Sequence, residues 1–281
     1  MTADYVLVGH MTADLTPQGR VAGGTVSYAA RTAAAFGWKV AVVTSAHPDE
    51  PLLDSLRQYA DVRVLPAAET TTYENIYTSA GRIQYIRARA ETLTPDAIPA
   101  DLLSAPMVHL GPIADEVPSA VAPIFTDATI LATLQGWMRR WDADQRVLFK
   151  PFHDALLLRH ANLIVFSEED ILAEPETEAW VRERARHTFV TRAERGGTYY
   201  HDGITESYPT PQVTVVEPTG AGDVFAAALL AALPLVSFNI RQATTIAARL
   251  ASHSVTRPGL SGTPTADEVA LALAGDLEAD R

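Results

Sequence analysis

The sequence predicts an α/β fold: a mostly parallel central sheet, helices on both faces, and a small β insertion. Three observations carry that prediction. Short β-branched runs alternate with Ala- and Leu-rich runs along most of the 281 residues, the rhythm of strands joined by crossover helices. The rhythm breaks at residues 70–90, where two strand-like segments flank a small-residue turn. Finally, Glu217-Pro218-Thr219-Gly220-Ala221-Gly222-Asp223 precedes an uncharged run, Val224 to Leu233, that reads as a buried helix.

Tyr5-Val6-Leu7-Val8-Gly9 reads as the first buried strand, left through His10 to Asp14 and then Arg20 to Gly24. Ser27 to Phe36 is a helix stopped by Gly37. Val40 to Thr44 is the second strand, Glu50 to Tyr59 a helix, and Val62 to Leu65 the third strand. Such alternation gives a parallel sheet covered on both sides. Tyr73 to Thr78 and Arg82 to Arg87, around Ser79-Ala80-Gly81, read as a hairpin. It projects as a flap or lies at the edge of the main sheet.

Alternation resumes with Met107 to Leu110, Thr129 to Leu134, Leu163 to Phe166 and Thr188 to Thr191. Ligands gather beyond the C-terminal ends of parallel strands, so the exits of these strands are candidate positions. Tyr199 to Tyr208 reads as a hairpin turning at Asp202-Gly203, and Val213 to Val216 as a strand entering the glycine turn. Arg241 to Ser254 is a helix, and Thr265 to Glu268 is a capping box opening the last one. No linker or repeat divides residues 1–281, which read as one main domain.

Composition narrows the function. Hydrophobic content is 47% and charged content 20%, as in a globular chain. The net charge of −12 argues against nucleic acid or an anionic membrane as partner. Without cysteine there are no disulfides, no thiolate nucleophile and no Cys-based metal site. No leader or long apolar run is evident, so a cytoplasmic location is expected.

Gly220 and Gly222 let the chain turn sharply and approach a ligand closely. The helix that follows would offer N–H groups and a positive dipole end to an anion. Asp223 is then either a helix cap or a base that takes a proton from a hydroxyl attacking a phosphate. A Walker A loop is absent. The dinucleotide fingerprint fails, because Phe225 stands where the third glycine belongs and no acid occurs between Asp223 and Asp267.

Thr219-Gly220-Ala221-Gly222-Asp223 resembles the C-terminal signature of the ribokinase-like (PfkB) carbohydrate kinases. Gly23-Gly24, opening an Ala-rich helix, resembles their N-terminal glycine pair. The resemblance covers essentially the whole chain and implies the ribokinase-like three-layer fold, with a β lid formed by about residues 10–25 and 70–90. It implies an ATP-dependent kinase acting on a hydroxyl of a sugar or polyol, an inositol-like ring or a nucleoside among the acceptors. It further implies Mg2+, K+ as in some members, and a monomer or a homodimer through the lid. Asp223 would be the base, with Gly220, Ala221 and Gly222 stabilising the transferred charge. Asp14, Gly23, Gly24 and Gln135 would hold the acceptor. Ser167, Thr191, Arg192, Gly196, Thr219 and His253 would line the nucleotide.

Asp170 would act on the metal through water and Glu217 on a monovalent cation. Four departures stand out. Tyr28 occupies a position where the family often has Asn, Ser167 and Asp170 replace Asn and Glu, and Ala193 replaces a glycine. Ser167 to Asp170 also fits a plain helix N-terminus. His153, His160 and His187 lack ligand spacing and read as surface residues. A non-catalytic sugar- or nucleotide-binding protein and a nicotinamide-dependent dehydrogenase are the competing classes. The first has no need of Asp223, and the second fails on the fingerprint.

Overall fold

The computed structural model describes residues 2–17, 19–78 and 81–275. The chain opens with β1 (Tyr5–Val8), β2 (Thr12–Thr16), β3 (Gly19–Gly23) and α1 (Thr25–Ala35). Next come β4 (Val40–Ala46), α2 (Leu53–Arg57), β5 (Asp61–Pro66), β6 (Thr72–Thr78) and β7 (Gly81–Ala88). The middle holds β8 (Met107–Leu110), β9 (Thr129–Thr133), β10 (Arg139–Trp141), β11 (Val147–Phe149), α3 (Ala155–His160), β12 (Leu163–Ser167) and α4 (Glu176–Arg182). The last part is β13 (His187–Thr191), β14 (Gly197–His201), β15 (Ile204–Tyr208), α5 (Ala221–Ala232), α6 (Ile240–Ser254) and α7 (Ala266–Ala274).

Nine strands form the main sheet in the order β15-β14-β13-β12-β9-β8-β1-β4-β5. Pairings from β13 to β5 are all parallel, and β14 and β15 add an antiparallel edge. The period-2 alternation of side chains divides each strand between two cores. In β1, Tyr5 and Leu7 join the core shared with α1, α5, α6 and α7, while Val6 and Val8 join the other. That second face is covered by α3, α4 and short 3-10 turns such as residues 119–124, where Pro118 and Pro123 disfavour a regular helix. Helix α5 is buried from Val224 to Ala232, as an all-apolar helix must be.

A second sheet, β3-β2-β6-β7, stands apart from the first. It is fed by the β1–α1 and β5–β8 connections, because β2 pairs in parallel with β6. The Arg20–Glu50 ion pair (2.6 Å) ties it to the body, and the Tyr73 hydroxyl donates to Ile113 O (2.7 Å). The expected hairpin turn at Ser79-Ala80 lies outside the described residues.

Some expectations need correction. Residues 213–216 form no strand: Val215 and Val216 are 55% and 61% exposed, and the N–H groups of Val216 and Glu217 donate to Val255 O. β-Branched residues favour a strand only where a partner edge and a half-buried surface exist. The second expected helix shrinks to α2, because Glu50 turns inward toward Arg20. His187 is half-buried, its Nδ1 2.8 Å from the Tyr199 hydroxyl, rather than a surface residue. Strands β10 and β11 were not anticipated.

Candidate active site

Strand β1 ends at Val8, and the chain turns through His10 into β2, which carries Asp14. The Thr12 hydroxyl donates to Asp14 Oδ1 (2.9 Å), and the Asp14 carboxylate lies against Gly23, where a Cβ would overlap it. Gly24 has φ +81 and packs on His10 O, so only glycine serves there. This pair starts α1, whose first residue Thr25 and fourth residue Tyr28 face the other half of the site.

That half is the N-terminus of α5. Gly220 has φ +85 and lies against the Tyr28 ring, while Gly222 is exposed with open space around it. Ala221 N–H is taken by Pro218 O (3.3 Å), so it is spent on the turn rather than left for a ligand. Thr219 is exposed at the same turn.

Burial pushes the Asp223 carboxyl up to about 6, and the Asp170 charge adds to the rise. The nearby Thr25 hydroxyl and Arg139 guanidinium oppose it. Removal from water outweighs the hydrogen bond and the positive charge that favour the ionised form. At pH 7 Asp223 is mostly ionised, yet close enough to neutrality to accept a proton. Turnover should fall below about pH 6 along a one-proton limb as Asp223 protonates. A kcat–pH profile checks this; a flat profile from pH 5 to 7 would contradict it. The same shift has a stability consequence. The folded chain holds this proton more tightly than the unfolded one, so stability declines as pH rises from 3.8 to about 6.

Burial, and then the charges of Asp223, Glu217 and Asp14, push the Tyr28 phenol up. Glu217 Oε2 accepts from Gly259 N–H (2.8 Å), which draws the loop after α6, near His253, toward the glycine turn. Ser167 and Thr191 are register partners at the ends of β12 and β13. Ser167 and Asp170 form a reciprocal capping box.

Two assigned contacts are already occupied. The Gln135 side-chain amide donates to Asp170 Oδ1 (2.9 Å). Arg192 pairs with Glu168 (3.1 Å) and Glu178 (2.6 Å), so its guanidinium is taken up by carboxylates rather than left for phosphate. Gly196 is buried at φ +80 against Tyr208 O. Ala193, at φ +49, occupies a left-handed conformation that would suit glycine, a strain of about 1 kcal/mol.

Sequence reasoning missed Arg139 and Glu116. Arg139 donates to Ile113 O (3.1 Å) and lies over the Tyr73 ring, 5.5 Å from its centroid. Its only sequence signal is the adjacent pair Arg139-Arg140, a few residues past the end of β9. Glu116 is fully buried and accepts from the backbone N–H groups of His10 (2.8 Å), Ile113 (3.0 Å) and Ala114 (2.6 Å). It clamps the β1 and β8 exits that support the acceptor wall. Glu116→Ala would strand three buried donors and should cost about 3 kcal/mol or more. Urea denaturation measures this, and a loss under about 1 kcal/mol would refute the clamp.

Against known proteins, the family model described as pfkB family carbohydrate kinase matches residues 119–266, just over half of the chain. A cytidine kinase of Thermococcus kodakarensis is 28% identical over 260 residues, spanning 81% of this chain and 87% of the relative. A pyrophosphate-dependent kinase in the ribokinase family, complexed with a pyrophosphate analog and myo-inositol, superposes with a TM-score of 0.81 at 21% identity. That match covers 95% of this chain and 99% of the other. Arabidopsis thaliana ribokinase complexed with ribose and ATP gives 0.74 at 18% identity, over 97% and 99%.

Proposed function

Since the chain belongs to the pfkB family of carbohydrate kinases, a phosphotransferase with a hydroxyl acceptor, we propose that it moves the γ-phosphoryl group of ATP to a sugar or polyol. An inositol-like ring is one acceptor of this kind, and a nucleoside is the alternative. The observation that carries the reading is Asp223. It is a partly buried carboxylate in the first turn of a helix that is open at Gly222, and its charge and that of Asp14 both act on the Tyr28 phenol.

In this reading Asp14 accepts hydrogen bonds from acceptor hydroxyls beside Gly23 and Gly24. Asp223 takes the proton of the attacking hydroxyl as the new O–P bond forms and the bond to the leaving phosphate breaks. The first turn of α5 offers its N–H groups to the charge on the transferred phosphoryl group. The sheet β3-β2-β6-β7 acts as a lid that keeps water out. The nucleotide runs past the exits of β12 and β13 toward His253.

Among the described residues no cluster of three or more His, Asp or Glu side chains forms a metal cage. That fits Mg2+, which keeps waters and is bound largely by substrate phosphates. Asp170, tied to Ser167 N–H and Gln135, would then hold its waters. When bound, Mg2+ neutralises phosphate charge. Glu217 retains one carboxylate oxygen for a monovalent cation. Among the described residues no helix is long and apolar enough to cross a membrane. We read the enzyme as cytoplasmic.

The test is product release, ADP or phosphate, with ATP–Mg2+ and with pyrophosphate–Mg2+ as donors. Ribose, myo-inositol and cytidine serve as acceptors, in K+ and in Na+ buffers. Acceptor-dependent release is expected; none with any pair would overturn the reading.

A further inference from the structure

We propose that His10 is a positioning residue for the transfer reaction: its imidazole fastens together three of the four chain segments that join the lid sheet to the body, and so sets where the lid and Asp14 stand. The proposal rests on the kinase reading above, with β3-β2-β6-β7 as the lid. Strands β2 and β3 lie between β1 and α1, and β6 and β7 lie between β5 and β8, so the chain crosses between body and lid four times. His10 is on the first crossing, Thr71 on the third, and Ala90 and Glu91 on the fourth.

The imidazole is fully buried. Its Nε2 lies 2.8 Å from Glu91 O and its Nδ1 lies 2.7 Å from the Thr71 hydroxyl. A carbonyl oxygen only accepts, so Nε2 carries the proton, and Nδ1 of the neutral ring accepts from Thr71. Thr71 Oγ1 accepts in turn from Ala90 N–H (2.9 Å). Thr71 O accepts from Ala13 N–H (2.9 Å), the residue before Asp14 in β2. Burial holds the imidazole below its ordinary range against the charges of Glu116 and Glu91, and Arg89 acts in the same direction as burial. The ring is therefore neutral at pH 7, as this pattern of donors and acceptors requires.

The same segments are anchored to the body. His10 N–H donates to Glu116 Oε1 (2.8 Å), Met11 N–H to Thr44 Oγ1 (2.9 Å) and Glu91 N–H to Ser45 Oγ (3.1 Å). Thr44 and Ser45 belong to β4 of the main sheet. One rigid ring with a donor and an acceptor thus links crossings that are far apart in sequence and already pinned to the sheet. With the ring in place, the lid strands and Asp14 keep one register relative to the main sheet. Without it each crossing bends separately, and the geometry for transfer loosens.

Amide hydrogen exchange and steady-state kinetics of wild type, Thr71→Val, Thr71→Ser and His10→Phe test this. Kinetics use whichever of ribose, myo-inositol and cytidine the wild type turns over fastest. Thr71→Val keeps the shape of the side chain but removes the hydroxyl shared by His10 and Ala90. It should speed exchange in β6 and β7 roughly 10-fold, leave β4 unchanged, and raise the acceptor KM roughly 10-fold with donor KM moved far less. Thr71→Ser restores the hydroxyl and with it the wild-type exchange and KM. Combining Thr71→Val with His10→Phe should add less than about 2-fold to His10→Phe alone, because both break one network. If His10→Phe does not fold, the two Thr71 variants decide. Thr71→Val behaving like Thr71→Ser, exchange quickened equally in β4 and the lid, or a quickened lid with unchanged acceptor KM would each overturn the proposal. A wild type that phosphorylates none of the three acceptors overturns the kinase reading itself, and the exchange measurement then still decides whether His10 fastens the crossings.

Discussion

Asp223→Asn should lower kcat by roughly 10²–10⁴-fold, the range expected when a general base is lost. Asn keeps the size of the side chain and can still occupy the first turn of α5, so the binding surfaces stay in place. It cannot take up the proton of the attacking hydroxyl. The variant should not pay in stability. The carboxyl is held up to about 6 by burial, so its ionised form is disfavoured in the fold at pH 7, and a neutral amide removes that cost. Melting at or above the wild-type temperature, with nucleotide still raising it, is therefore expected beside the kinetic collapse. If Asp223 served only as a first-turn acid, turnover would remain within a few-fold of wild type. That outcome would remove the base and most of the proposed mechanism.

Asp14→Ala should raise the acceptor KM by roughly 10²-fold while the donor KM changes only a few-fold. A carboxylate that accepts two substrate hydroxyls contributes about 3 kcal/mol, which converts to that ratio. In the proposed reading the donor binds beyond the glycine turn, away from Asp14 and Gly23. The change also frees the Thr12 hydroxyl, which donates to Asp14 at 2.9 Å, so Asp14→Asn is the control that keeps a partner for it. Separate titrations of acceptor and donor give the two constants. Equal rises in both, or none, would reject Asp14 as the acceptor ligand.

Much of this protein is written locally. The parallel sheet followed from β-branched runs such as Val40 to Val43, which are buried on both faces and therefore carry no polar alternation. Gly24 and Gly220 were recognisable because their positive φ values exclude a side chain, a constraint that acts within one turn of the chain. The same logic failed at Val213 to Val216. Its composition is strand-like, but the N–H groups of Val216 and Glu217 go to Val255 O instead of the open sheet edge at β15.

The main alternation of strands and helices, the glycine turns and the two acids near them, Asp14 and Asp223, are legible along the chain. Only the tertiary structure decided what those groups are chemically. The Asp223 carboxyl is raised toward neutrality because the fold partly withdraws it from water and brings Thr25, Arg139 and Asp170 to act on it. Arg192 pairs with Glu168 and Glu178, and the Gln135 amide bonds Asp170 across 35 residues. Tyr28 meets Gly220 through the packing of α1 on α5. Backbone preferences depend on neighbours in the chain, so spacing reveals them. Desolvation and the choice of partner depend on neighbours in space, and those exist only once the chain has folded.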